Sequence, residues 1–361
     1  MTRSSPALKD RIARHIRMAG PLPLAEYMHW CLADKTDGYY QSSNAIGRAG
    51  DFITAPEVSQ MFGELIGIWL IKAWQALGSP GQVNLVELGP GNGTLMADIL
   101  RVTRVDPAFT SAVKTHLVET SPGLTKVQQQ KLNGLGDIEW HASMDTVPKG
   151  TTLFVANEFL DALPFRQYVK LGKSWLERCV SIDENNNLEW VLGNGKIEPE
   201  ALPTGHQDEP DGAVFEISTI REGFAERVCQ TIAGQGGAAL FIDYGHGQSG
   251  FGDTFQALSA HEYADPLAEP GTVDLTSHVD FHPLFNVAEK AGCSTHCLLR
   301  QGEFLLRLGL LERAGRLGAD KPGDVQARLT REAERLALPD QMGDLFKVFA
   351  VSSVPQLWPF D

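Results

Sequence analysis

The chain has 361 residues, 43% of them hydrophobic and 21% charged, and carries a formal net charge of −14. That length suits a single α/β core with insertions, and no apolar run approaches the roughly 18–20 residues that span a bilayer. The acidic excess weighs against sequence-independent nucleic-acid binding, which needs a cationic surface to displace counterions; it suits a small molecule or a basic peptide instead.

Residues 1–80 read as a helical subdomain. Arg3, Lys9, Arg11, Arg14 and Arg17 surround Leu8, Ile12 and Ile16 at helical spacing, a pattern common to transit peptides and to amphipathic structural helices. Gly20-Pro21 ends this segment and a second helix, 24–32, follows at once, which favours the structural reading. A turn-rich break over 37–52 precedes a helix expected over 56–77. Pro56 sits in its first turn, Met61, Leu65, Ile68 and Trp69 form its apolar face, and Gly78 with Pro80 stop it.

The remainder, 81–361, reads as one α/β domain. Apolar runs predict strands at 83–88, 115–119, 138–141 and 152–156, with helices after Gly93 and over 124–133. Segments 166–170, 174–181 and 188–191, joined by polar turns, form an antiparallel insertion spanning about 165–215. A helix at 220–233 and a strand at 238–243 restore the alternation. Segment 275–279 then leads to a helix at 281–291 and a strand at 293–299. A helical insertion over about 302–340 (helices 302–316 and 324–338) is a candidate lid or homodimer face, and 345–351 reads as a closing strand. The five cysteines are scattered and odd in number, as expected of reduced thiols. Cys293 and Cys297 flank Ser294-Thr295-His296 without a second pair at zinc spacing, so no metal site is expected.

The chemistry concentrates at strand ends. Gly89, Gly91 and Gly93 alternate directly after the 83–88 strand and open a helix, a turn that lets a ligand approach the backbone closely. The third glycine of a dinucleotide fingerprint would fall on Thr94, and the phosphate-loop pattern is absent. Glu87 lies just before the turn, and the whole, acid-x-Gly-x-Gly-x-Gly, resembles motif I of class I methyltransferases. Glu119, 26 residues beyond Gly93, ends the next strand, where a carboxylate can accept both ribose hydroxyl protons. Together they point to S-adenosylmethionine rather than a nicotinamide dinucleotide.

The 152–156 strand runs into Asn157-Glu158-Phe159-Leu160-Asp161-Ala162-Leu163-Pro164. Glu158 and Asp161 are three apart, so one helical turn would set both on one side. Paired carboxylates suit a cationic acceptor such as arginine. Deprotonating a guanidinium at neutral pH would cost roughly 9 kcal/mol, so a bidentate carboxylate clamp is the easier route to an available nitrogen lone pair. Asn157 raises a rival, since base N-methyltransferases carry Asp/Asn-Pro-Pro-aromatic here, but both prolines are missing. Asp243-Tyr244-Gly245-His246 and His278 lie at later strand ends, where either histidine could relay a proton.

These segments resemble the MidA-like family of class I S-adenosylmethionine-dependent methyltransferases. The resemblance rests on Gly20-Pro21, Gly38-Tyr39-Tyr40, the run from Gly50-Asp51-Phe52 to Phe62-Gly63-Glu64, the glycine loop, the run from Asn157 to Pro164, Ile242-Asp243-Tyr244-Gly245, the run from Thr276 to Phe281, and Gln301-Gly302. It covers nearly the whole chain. It implies a Rossmann-like, mainly parallel seven-stranded sheet with an N-terminal helical part and inserted β and helical elements. It also implies that the segment containing Thr54 and Pro56 walls the cofactor pocket. The strand-end pattern itself puts Asn157, Glu158 and Asp161 at the acceptor, with Phe159, Asp243, Tyr244 and His278 around it. Mitochondrial members of the family are protein-arginine methyltransferases needed for respiratory complex I assembly. The expected activity is therefore arginine N-methylation of a protein, with a complex I core subunit as candidate. The alternatives are another protein or small-molecule acceptor, or a weakly catalytic assembly factor. The family pattern begins near Ile12, which implies a bacterial cytoplasmic protein without a presequence.

Overall fold

The computed structural model describes residues 7–41, 53–259 and 262–360. The two amphipathic segments at the N-terminus fold as helices α1 (Leu8–Ala19) and α2 (Leu24–Ala33), joined by a short strand, β1 (Leu22–Pro23). Leu8, Ile12 and Ile16 are buried, as their spacing requires, and Gly20 ends α1 at φ +93°. Residues 42–52 of the turn-rich break, including Gly50-Asp51-Phe52, lie outside the described residues.

The helix expected over 56–77 is instead two, α3 (Ala55–Val58) and α4 (Gln60–Ala76). Ser59 between them is extended, and its Oγ accepts from the Met61 N–H as the cap of α4. Helix α4 is buried on nearly every side. Gly63 and Gly67 let it lie against α5 (Thr94–Val102) so closely that an added Cβ would meet Asp98 Cβ at 2.5 Å or Val102 Cγ1 at 2.3 Å. Glu64, buried within α4, is gripped by both Arg313 Nε and Nη2 at 2.7 Å.

Strands β2 (Val83–Leu88), β3 (Val113–Val118), β4 (Ile138–His141) and β5 (Thr152–Asn157) alternate with α5, α6 (Pro107–Ala112) and α7 (Pro122–Lys131). The insertion is a sheet of β6 (Arg166–Leu171), β7 (Ser174–Ile182), β8 (Leu188–Lys196) and a strand not foreseen, β9 (Val214–Ile217). Helix α8 (Thr219–Gln235) returns the chain to β10 (Gly237–His246). Three short strands, β11 (Gln256–Ser259), β12 (Glu262–Tyr263) and β13 (Asp274–Thr276), pair with one another, and β14 (Val279–Asp280) joins β10. After α9 (His282–Lys290), the strand expected over 293–299 is broken into β15 (Ser294–Thr295) and β16 (Leu299–Arg300). The helix expected over 302–316 is likewise split into α10 (Gln301–Arg307) and α11 (Leu310–Gly318), because Gly309 turns at φ +93°. Helix α12 (Gly323–Ala337) and the closing strand β17 (Phe346–Ser352) complete the chain.

The main sheet has the order β15-β17-β10-β5-β2-β3-β4. Its pairings from β10 to β4 are parallel and β17 is antiparallel to β10, a Rossmann-like arrangement with seven strands along its path. The described residues of the N-terminal segment divide between two cores. Helices α1 and α2 pack with Phe165, Val180 and Leu188 of the insertion, and β1 pairs with β7. Helix α4 instead belongs to the core of the main sheet. Strand order reverses between β2 and β5: successive strands run outward through β3 and β4 on one side and through β10 on the other. Ligand crevices form outside the carboxyl ends of strands at such a switch point.

Candidate active site

The reversal sets the carboxyl ends of β2 and β5 side by side, so the glycine loop and Asn157-Glu158 meet across one cleft. Thr54, Pro56 and Glu57, from the start of α3, wall it opposite Glu87, Asn92 and Thr94. Gly89, Gly91 and Gly93 all take positive φ (+63°, +52° and +74°), the conformation that favours glycine. A Cβ on Gly89 would stand 2.6 Å from Phe159 Cδ2. Phe159, expected at the acceptor, therefore supports the glycine loop, and its ring lies 4.9 Å from that of Phe224.

Glu87 is 3% exposed and its Oε2 has no hydrogen-bond partner among the described residues. Burial, and then the charge of Glu119, pushes its carboxyl up to about 8. Glu119 accepts from Ser121 N at 2.7 Å and from Gln128 Nε2 at 3.0 Å; each oxygen keeps a second lone pair for a ligand hydroxyl. Gln128 is a site residue that sequence reasoning missed. Wholly buried on α7, it donates its second N–H to the Gly91 carbonyl (2.8 Å), and its Oε1 accepts from Trp140 Nε1 (3.0 Å). It braces the glycine loop against the neighbouring strand end. The only signal for it was a polar residue four positions after Leu124, on the same buried face.

Glu158 takes φ +50°, rare for a residue with a side chain. Its Oε1 accepts from the Ala55 N–H at 3.0 Å and from Asn157 Nδ2 at 2.9 Å. Burial, reinforced by the charge of Asp161, raises its carboxyl to about 8. Asp161 is also buried, which pushes its carboxyl up, and the Tyr244 hydroxyl is the side-chain donor that faces it. Asn157 Oδ1 is buried with no hydrogen-bond partner among the described residues.

Two residues hold this turn in place. Asp243, expected to contact the acceptor, is 1% exposed and spent on the backbone. Its Oδ2 accepts from the N–H groups of Phe159 (3.2 Å), Leu160 (2.9 Å) and Asp161 (3.1 Å), and its Oδ1 from Tyr244 N (3.0 Å). Arg221, missed in the sequence, is buried on α8 and donates to Asp161 O (2.9 Å), Ser277 Oγ (2.7 Å) and His278 O (2.9 Å). The His278 ring packs edge-on against Tyr244 at 5.4 Å. It lines a separate open cavity of about 1110 Å³ with His246 and Arg221, so it is not brought to the cleft.

A Rossmann-like sheet whose glycine loop carries no dinucleotide or phosphate fingerprint, with buried carboxylates awaiting donors at adjacent strand ends, is the framework of an S-adenosylmethionine-dependent methyltransferase. The family profile described as "Putative S-adenosyl-L-methionine-dependent methyltransferase" matches residues 65–299, and the chain belongs to this family. It is 36% identical to the protein arginine methyltransferase NDUFAF7, mitochondrial, of Xenopus laevis, over 96% of this chain and 85% of that one. Against the Homo sapiens protein of the same name it is also 36% identical, over 93% of this chain and 81% of that one. A crystal structure of a Burkholderia thailandensis protein bound to S-adenosyl-homocysteine superposes with a TM-score of 0.83, at 27% identity, covering 96% of this chain and 91% of that one. The methyl donor is S-adenosylmethionine, and the partnerless Glu87 Oε2 and the tight cradle at Gly89 fit such a cation-bearing ligand.

Gly89→Ala should accordingly weaken S-adenosylhomocysteine binding by about 10–100-fold, the equivalent of 1–3 kcal/mol of backbone strain. Calorimetric titration checks this. An unchanged affinity would mean that the loop conformation does not set the donor site.

Proposed function

We propose that this chain transfers the donor's methyl group to an arginine side chain of a protein. The observation that carries this reading is the cluster of buried acceptor groups at the β5 end: the carboxylates of Glu158 and Asp161, beside an Asn157 Oδ1 without a donor among the described residues. A guanidinium is donor-only, with five N–H groups in a planar fork that matches carboxylates bidentately. Glu87, Thr54, Pro56 and Gly89, Gly91 and Gly93 would hold the methyl donor, with Glu119 on its ribose. When bound, the donor supplies an electrophilic methyl group on a sulfonium.

Glu158 and Asp161 would grip the acceptor from the β5 end, Asn157 orienting Glu158 through its amide. Their pull localises a lone pair on one guanidinium nitrogen. The proton that this nitrogen gives up on methylation would pass to the Glu158 carboxylate. Tyr244 stands beside Asp161, and Asp243 and Arg221 keep the turn in register.

We also assign the substrate to a respiratory complex I core subunit and the reaction to the cytoplasm of a bacterium. The names of the relatives, at 36% identity over nearly the whole chain, support an arginine acceptor, and the family resemblance supports the complex. The exposed Leu306 and Leu311 support a self-association face on α10 and α11. Mass spectrometry of complex I subunits from cells with and without this protein tests the assignment. A methylarginine that disappears with the protein is expected; an unchanged methylarginine pattern, or loss of methylation at another residue type, would overturn it.

A further inference from the structure

At the free edge of the main sheet, β4 presents Glu139 and His141 on one face, two residues apart. The register sets His116 of β3 opposite Glu139, and Val118 opposite His141, so the His116 ring falls between the two β4 side chains. His116 Nδ1 lies 3.0 Å from His141 Nε2. Glu139 Oε2 is 3.7 Å from the first nitrogen and 3.9 Å from the second. Ligands about 2.0–2.2 Å from a common metal ion stand roughly 3–4 Å apart, so all three atoms can reach one ion.

The hydrogen bonding of His141 points the same way. Thr146 Oγ1 donates to Ser143 O at 2.8 Å, so its oxygen accepts from His141 Nδ1 at 2.9 Å. That fixes the proton on His141 Nδ1 and turns the Nε2 lone pair toward the cluster, the outer hydrogen bond that metal-bound histidines characteristically make. His116 is 2% exposed, so its ring is held within the protein beside the two β4 side chains. A proton shared between the rings satisfies only two of the three groups, because Glu139 lies beyond hydrogen-bond reach of both nitrogens. Among the described residues, no other set of three His, Cys, Asp or Glu side chains converges within 4.8 Å.

We propose that His116, Glu139 and His141 bind a divalent first-row transition-metal ion, with zinc the ion that best suits two imidazoles and a carboxylate. Glu139 is exposed, which leaves the fourth position to water. The site is structural. The Glu119 N–H donates to the His141 carbonyl at 2.9 Å, so the ion would clamp the edge strand beside the carboxylate at the end of β3. The sequence spacing gave no hint of it, because the ligands come from two strands and none belongs to the Cys293–Cys297 segment.

The test is calorimetric titration of tag-free, chelator-treated protein with zinc chloride, paired with cobalt(II) absorption spectra. One equivalent is expected to bind, and His116→Gln with His141→Gln together should weaken binding at least 100-fold while S-adenosylhomocysteine affinity changes less than about tenfold. Should that double variant not fold, the exposed Glu139→Gln should still weaken zinc binding by about tenfold or more. Absence of stoichiometric uptake, uptake that persists in both variants, or uptake lost in Cys297→Ser instead would overturn the proposal. Methyl transfer is not the readout, so failure here leaves the reading of the active site untouched.

Discussion

Replacing Glu158 by Gln is expected to lower kcat for arginine methylation by about 10²–10³-fold while S-adenosylmethionine affinity stays within about tenfold. The variant keeps an acceptor oxygen for the Ala55 N–H but loses the charge that grips the guanidinium and the base that takes its proton. The pH profile supplies a second readout. Burial and Asp161 hold this carboxyl at about 8, and it acts ionised, so kcat/KM should climb as pH rises through about 8. In Glu158→Gln that limb should vanish. A wild-type profile flat across this range, or a variant retaining full kcat, would sink the carboxylate clamp.

Binding of S-adenosylmethionine is expected to tighten as pH rises toward 8 and then level off. Glu87, held near 8 by burial and Glu119, is protonated in the empty cleft at neutral pH. A cationic ligand favours its ionised form, so binding releases a proton and affinity grows by up to about tenfold per pH unit below that value. S-adenosylhomocysteine lacks the sulfonium charge and should show a shallower slope.

Glu87→Gln should remove most of this dependence and also stabilise the ligand-free protein at alkaline pH. The sign follows from the raised carboxyl. Below its ordinary value of 4.5 the side chain is protonated in both folded and unfolded states. As pH climbs from there through about 8 the unfolded chain ionises first, and stability is progressively lost. Titration calorimetry in buffers of different ionisation enthalpy reads the proton release, and thermal melts at pH values either side of 8 read the stability. Equal slopes for the two ligands would show that Glu87 does not sense the donor's charge.

The donor side of the site was legible because its chemistry is local. Glu87 and the three glycines occupy seven consecutive positions, and an alternating glycine turn after a buried strand has few other uses. Glu119 followed from counting one strand onward. The acceptor side was legible as residue types but not as roles. Asp243 and Phe159 read as ligand contacts, yet one carboxylate oxygen receives three backbone N–H bonds and the ring fills the space above Gly89. A strand-end aspartate looks the same in sequence whether it faces a cleft or a loop. Gln128 and Arg221 carried no motif, because each is defined by partners on other elements: Gly91, Glu119 and Trp140 for the first, and Asp161, Ser277 and His278 for the second.

The amino-acid sequence by itself determined the strand-helix alternation, the glycine turn and the acidic residues at the strand ends, since period, chirality and burial act over neighbouring positions. It did not determine that the 56–77 and 302–316 helices break, at an extended Ser59 and a left-handed Gly309. Nor did it separate the N-terminal helices into two cores. Only the tertiary structure decided those points, together with the spending of Asp243 on the turn after β5 and the meeting of His116, Glu139 and His141 across two strands. Sheet order and register place side chains distant in sequence within a few ångströms of each other, and no local pattern encodes which of them will meet.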